Sequence, residues 1–197
     1  MLLLAGPDRC ASCGWLGAPV CAACAPRLVG CPPLEAPPPL TRLVAGFLYE
    51  GPARDLVLGL KLRGVRACAA PLAGALALNA WREGVDAEVV TWVPGTPGDV
   101  RARGYDHAGA IAGRVAALLG LPVRPLLRLE RPKADQTALA AAQRRANLDG
   151  AFVARPVHGR VALVDDVMTT GTTICTCARA LVTAGASAVE GLVGCRA

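Results

Sequence analysis

The sequence predicts an α/β protein: a mostly parallel sheet flanked by helices, preceded by a small cysteine knuckle. Three observations carry this expectation. From residue 41 onward, short apolar runs alternate with helical patterns, the arrangement that produces parallel strands joined by right-handed crossovers. Aromatic residues make up only 4% of the chain, and Ala, Val, Leu and Gly carry most of its 53% hydrophobic content, which suits close-packed α/β layers better than a β-sandwich. Between these regimes lies CPPLEAPPPL (31–40), whose five prolines in ten positions exclude regular helix and central strand. The break separates a cysteine-rich segment with its linker (1–40) from one domain (41–197).

Taken in order, AGFLY (45–49) reads as a strand and RDLVLGLKL (54–62) as a helix. APLAGALALNAW (70–81) places small and apolar residues at helical spacing, and AEVVTWVP (87–94) is a strong strand closed by Pro94. HAGAIAGRVAALLG (107–120) sets Ala108, Ile111, Ala112, Val115 and Leu118 on one face, with Gly120 as a C-terminal stop. VALVD (161–165), TTICTCARALVTAGA (172–186) and AVEGLVG (188–194) complete a strand–helix–strand unit.

The 197 residues carry a formal charge of +6, from nineteen arginines and two lysines against fifteen acids. Residues 1–40 are neutral, with Arg9 and Arg27 against Asp8 and Glu35, so the surplus belongs to residues 41–197. Arginine grips phosphate in two-pronged fashion, and the positive balance fits a phosphorylated or polyanionic partner. The opening MLLLA is too short for a signal-peptide core, and no run reaches the roughly 18 apolar residues of a membrane span. A cytoplasmic location is expected.

Without an export signal, nine cysteines argue against a disulfide framework. Cys10-x2-Cys13 and Cys21-x2-Cys24 form two chelating pairs seven residues apart. Four thiolates satisfy tetrahedral Zn²⁺ completely, so such a site would be structural rather than catalytic. Cys31 is a spare that could replace one ligand. Cys175 and Cys177 lie two apart on a helix and read as core thiols.

The stretch VALVDDVMTTGTT (161–173) makes the sharpest demand. A buried strand ends in two carboxylates, Asp165 and Asp166, at the edge where parallel sheets bind ligands. Met168, Thr169, Thr170, Gly171, Thr172 and Thr173 then lead into a helix, whose first amides and dipole favour an anion. The chemistry is split between donors for a phosphate and acceptors for hydroxyls. No G-x-x-x-x-G-K-[ST] is present, and no G-x-G-x-x-G follows a strand, so the two commonest phosphate loops are excluded. Paired acids before a phosphate cradle suit a sugar phosphate.

VDDVMTTGTT resembles the phosphoribosyl pyrophosphate (PRPP) motif of type I phosphoribosyltransferases. Further segments resemble one branch, the ComF-type competence proteins. Cys10 to Cys24 match the N-terminal knuckle of that family. YEGPARDLVLGLKLRG (49–64) resembles its Y-x-G-x(n)-K-x-x-G segment, RARGYDHAGAIA (101–112) its R-x-R-G-[FY]-[ND]-[QH] motif, and DQTALAAAQRRANLDGAF (135–152) its Q-[TA]-x-L-x(4)-R-x-x-N-x-x-G-A-F motif. The motifs follow the family's order over nearly the whole chain.

The resemblance implies a type I phosphoribosyltransferase-like fold and a PRPP ligand bound with Mg²⁺. Asp165 and Asp166 would hold the ribose, and residues 168–173 the 5′-phosphate. In this fold the loop VPGTPGD (93–99) cradles pyrophosphate, with Arg101 and Arg103 beside it. Residues 131–147 would form a mobile hood, with Gln136, Arg144 and Arg145 as its ligand-facing candidates. Lys61 reads as a solvated lysine on an amphipathic helix, and His107 as either a site residue or a helix cap. The family link implies a role in natural transformation, or DNA uptake, with single-stranded DNA or a competence helicase as partner. The acceptor, turnover and the oligomeric state, a dimer included, are left open. The alternatives are a non-catalytic PRPP-sensing, single-stranded-DNA-binding competence factor and a nucleotide-salvage phosphoribosyltransferase, the last of which leaves the cysteine knuckle unexplained. Two departures stand out: only Cys31 remains of a second cysteine set, and Ala138 replaces a frequent glycine.

Overall fold

The computed structural model describes residues 9–130 and 151–197. Strand β1 (Arg42–Leu48) leads into helices α1 (Gly51–Leu62) and α2 (Ala69–Arg82), and β2 (Val89–Trp92) follows. A short helix α3 (Pro97–Arg103) and the longer α4 (His107–Leu119) precede β3 (Leu127–Leu129). After residue 150 come β4 (Phe152–Ala154), β5 (Arg160–Met168), α5 (Thr172–Thr183) and β6 (Ala188–Arg196).

Four strands form one parallel sheet in the order β1-β6-β5-β2. Its inner strands β5 and β6 are buried on both faces, which is why VALV and AVEGLVG read as near-continuous apolar runs. One face packs against α1, α2 and α4 through Leu56, Leu60, Leu72, Leu76, Ile111 and Val115. The other packs against α5 and the β3–β4 pair through Leu163, Ile174, Leu181, Val193 and Phe152, with Leu34 and Ala36 of the proline tract closing over it. This is the predicted α/β architecture. The helices expected at 54–62, 70–81, 107–120 and 172–186 are present within a few residues of those bounds.

Two differences matter for the site. The sequence pattern ends strand β5 at the acids, but the strand continues through both to Met168, because β6 runs on to Arg196 and pairs with it: Asp165 with Val193, Val167 with Cys195, Met168 with Arg196. Sheet partners override the poor strand propensity of aspartate. The antiparallel pair β3–β4, with Leu127 opposite Ala154 and Leu129 opposite Phe152, is absent from the sequence expectation. Three-residue strands carry too little alternation to be read from sequence.

Candidate functional site

The strand period of two decides where the acids go. Along β5, Val161 and Leu163 face the α5 side, while Ala162 and Val164 face α1, α2 and α4. Asp165 continues the first set and Asp166 the second. The adjacent carboxylates therefore open to opposite faces of the sheet.

On the α5 side, Asp165 and residues 167–174 line a recess of about 40 Å³. Gly171 holds φ +77° as the residue before α5, a left-handed turn that favours glycine, and an added Cβ would sit 3.4 Å from the Met168 sulfur. The first helical bond runs from Cys175 N to Gly171 O, so the amides before it lie at the open end of the helix. Thr169 and Thr170 are exposed, and the Thr170 and Thr172 hydroxyls lie 2.9 Å apart. Met168 is buried at the strand end. Burial, and then the charge of Asp166, push the Asp165 carboxyl up to about 8.

The opposite face is closed. Asp166 is 3% exposed, with Lys61 Nζ 2.8 Å from Oδ1 and His107 Nε2 2.6 Å from Oδ2. Among the described residues Oδ2 has no well-aligned hydrogen bond, so the histidine contact is close but off-axis. Burial alone would raise this carboxyl; contact with His107 and the charge of Lys61 outweigh it and hold Asp166 below the ordinary value. His107 Nδ1 lies 3.3 Å from Arg103 Nη1. A guanidinium only donates, so Nδ1 accepts and the ring hydrogen sits on Nε2, facing Asp166.

Backbone contacts fix this unit. Tyr105 donates its hydroxyl to Leu60 O, beside Lys61. Arg66 donates to Gly104 O at 3.0 Å and lies 4.5 Å over the Tyr105 ring. Asp106 caps α4 by accepting from Gly109 N at 3.2 Å, and its other oxygen accepts from Gly95 N at 2.9 Å, tying in the loop after β2.

The two candidate arginines of 93–103 part company. Arg103 turns to His107 and pairs with Asp99 at 3.0 Å, while Arg101, two residues earlier on the same short helix, is exposed. Gln136, Arg144 and Arg145 lie outside the described residues.

Cys10, Cys13, Cys21 and Cys24 converge, their sulfurs all within 4.8 Å of one another and those of Cys13 and Cys21 at 3.5 Å. Zinc–sulfur bonds of about 2.3 Å require tetrahedral edges of roughly 3.8 Å, so the group could bind Zn²⁺ with little movement. Burial opposes ionisation of Cys10, but hydrogen bonds from the backbone at Cys13, Cys21 and Ser12 bring it down to about 6. Burial and the surrounding sulfurs push Cys24 up to about 12. Four thiols so close lose their last protons only to a cation. Cys31 is not a fifth member: its amide donates to Gly46 O on the β1 edge and its side chain packs toward α5. The knuckle rests on α1, where Arg63 donates to Ala11 O at 3.1 Å and to Asp55 O at 2.8 Å.

Lys61 and His107 are the residues that sequence reasoning undervalues. A lone lysine and a first-turn histidine carry no periodic signal; the only pointer is their place in the K-x-x-G and R-x-R-G segments. His107 does not cap α4, because Asp106 does.

No protein-family model matches the chain, and no curated protein matches it. Similar solved structures include the allosteric regulatory enzyme of purine biosynthesis, at 26% identity and a TM-score of 0.44 over 65% of this chain and 26% of that one. Glutamine PRPP amidotransferase from B. subtilis, complexed with ADP and GMP, matches at 25% identity and a TM-score of 0.43 over 66% and 27%. The matched part spans about a quarter of each of those chains. Among the described residues, no helix is long and apolar enough to cross a membrane.

Proposed function

We propose that this chain binds PRPP with Mg²⁺ and is a phosphoribosyltransferase-like protein of the ComF type, acting on a nitrogen acceptor. The observation that carries the reading is the recess formed by Asp165 and residues 167–174: a carboxyl group, threonine hydroxyls and the start of a helix meet at the carboxyl edge of a parallel sheet. The 5′-phosphate takes the amides and hydroxyls of 169–173, and Asp165 accepts from the ribose hydroxyls. Mg²⁺ would be held mainly by PRPP and water beside Asp165, supplying neutralisation of the pyrophosphate charge. In the transfer, the bond from C1 of the ribose to pyrophosphate breaks, with its electron pair leaving on pyrophosphate. The nitrogen lone pair then closes on an oxocarbenium-like C1. Fixed positive charge near the leaving group is the main aid this chain would give.

The four-cysteine knuckle holds one structural Zn²⁺ in this reading, checked by metal content of the pure protein and its loss in Cys21→Ser. A link to DNA uptake, with single-stranded DNA or a competence helicase as partner, follows from the family motifs, and the +6 charge supports it. Salt-dependent retention of single-stranded DNA would test that link.

The deciding experiment is calorimetric titration with PRPP and Mg²⁺, wild type beside an Asp165→Ala, Asp166→Ala double variant. Binding that the variant loses supports the site and warrants screening nitrogen acceptors for pyrophosphate release. A folded, zinc-loaded wild type that binds no PRPP sinks the reading.

A further inference from the structure

We propose that the outer face of α2 is the docking surface for a second copy of this chain, the two α2 helices lying antiparallel about a two-fold axis at Leu78, with Trp81 of each copy seated over Gly74 of the other. The inference stands apart from the PRPP reading. Leu72, Ala73, Leu76 and Ala80 turn one side of α2 to the sheet. The opposite side, at the spacing of a single helix stripe, is Ala70, Gly74, Leu78 and Trp81, all exposed. A solvent-facing stripe ordinarily carries charged or polar residues, and this one has none. Trp81 is 75% and Leu78 46% exposed, and Leu118, 61% exposed, extends the apolar area onto α4, which packs beside α2.

Gly74 is the telling position. It lies within the helix, where glycine is less favourable than alanine, yet an added Cβ would meet nothing within 4 Å. Among the described residues, no packing inside the protomer calls for it. Close approach from outside does, because a bare backbone admits a large ring. Gly74 and Trp81 are two turns apart, about 10.5 Å along the helix. Hole and knob therefore share one stripe, and a two-fold contact, which uses the same patch on both partners, pairs each with the other. Leu78, midway between them, meets its own copy.

Charge favours the same occupant. The chain carries +6, so copies repel each other, and an uncharged stripe is where that repulsion is weakest. Arg82 at the end of α2 and Arg114 on α4 are exposed and stay at the solvated rim. The three large side chains offer roughly 350 Å² of apolar surface, at about 200 Å² for each when fully exposed. A standard interface covers about 800 Å² per partner, so the flanking turns of α2 and α4 must be buried with them. Arg42, at the start of β1, donates to Glu83 O just after α2, which places Trp81 toward the amino edge of the sheet. The recess at the carboxyl edge stays open in both copies.

The test is sedimentation equilibrium of the full chain from about 1 to about 200 μM, where a dimer of modest affinity dissociates. Wild type should pass from monomer to dimer and no further. The dimer should persist at about 0.5 M salt, since apolar contacts are not screened. Trp81→Arg should raise the dissociation constant at least tenfold, and Leu118→Arg by less. Trp15→Arg, at the equally exposed tryptophan of the knuckle, should leave it unchanged. Gly74→Ala should weaken the dimer while raising the urea midpoint of the dilute monomer, a pair of opposite effects that misfolding cannot produce. The proposal is overturned if wild type stays monomeric throughout, grows beyond a dimer, or dissociates when salt is raised. It is equally overturned if Trp81→Arg associates like wild type, or if Trp15→Arg is the variant that dissociates.

Discussion

Asp165 and Asp166 are neighbours in the chain and occupy opposite environments. On the α5 face, Asp165 opens to a small recess of hydroxyls with no cation in contact among the described residues, and its carboxyl is raised. On the α1–α4 face, Asp166 is sealed between a lysine and a histidine, and its carboxyl is lowered. The strand creates this difference, since successive side chains point to opposite sides of a sheet. The two acids at this strand end therefore meet two environments, one open and one closed.

The largest effect that could break this contrast concerns Lys61. Lys61→Met strands Asp166 with only His107 beside it, and should lower unfolding stability by about 3 kcal/mol, the low end for removing one partner of a buried pair, since Lys61 is partly solvated. Asp165→Asn, with no ion pair to lose, should stay within about 1 kcal/mol of wild type. Urea unfolding midpoints measure both. Equal losses would mean the two acids share one environment.

Next in size is Gly194. A Cβ there would sit 2.7 Å from the Asp166 carbonyl oxygen, against backbone that cannot swing away. Gly194→Ala should force β6 from β5 beside Asp166, costing about 2 kcal/mol as an overpacked core does. It should also weaken PRPP binding. An alanine tolerated without change in either would show that the acids need no such tight registry.

Much of this was legible in the sequence, for physical reasons that can be named. Long periodic segments such as 70–81 and 107–120 announce their helices because the face they bury spans three or more turns. The cysteine pairs announce a convergent group that could hold a metal because their spacing fixes geometry on its own. The acidic turn announces a strand end where a carboxyl, threonine hydroxyls and the start of a helix meet. What the sequence hid is the relation between segments: that Lys61, at the end of α1, and His107, at the start of α4, meet on one oxygen pair of β5. Such contacts rest on tertiary packing alone. The reach of β5 to Met168 was hidden likewise, since its register depends on β6.

The smallest effect is a pH dependence, and its sign tells the two acids apart. Asp165 is raised from the ordinary 3.8 to about 8 in the folded protein. Between these values the native state holds a proton that the unfolded chain has released, so stability is greatest below the window and falls as pH rises through it. Asp166 runs the other way: its contribution is present above the ordinary aspartate value and is lost as pH falls through its lowered one. Subtracting Asp165→Asn from wild type cancels the distant titrating groups and leaves the Asp165 trend together with its coupling to Asp166. Thermal midpoints from about pH 5 to about pH 8 should fall in wild type relative to the variant, and by a modest amount, because the recess admits solvent that screens the charge. A difference that instead rises with pH would place Asp165 in a cation-paired environment like that of Asp166, and the contrast between the two faces would be lost.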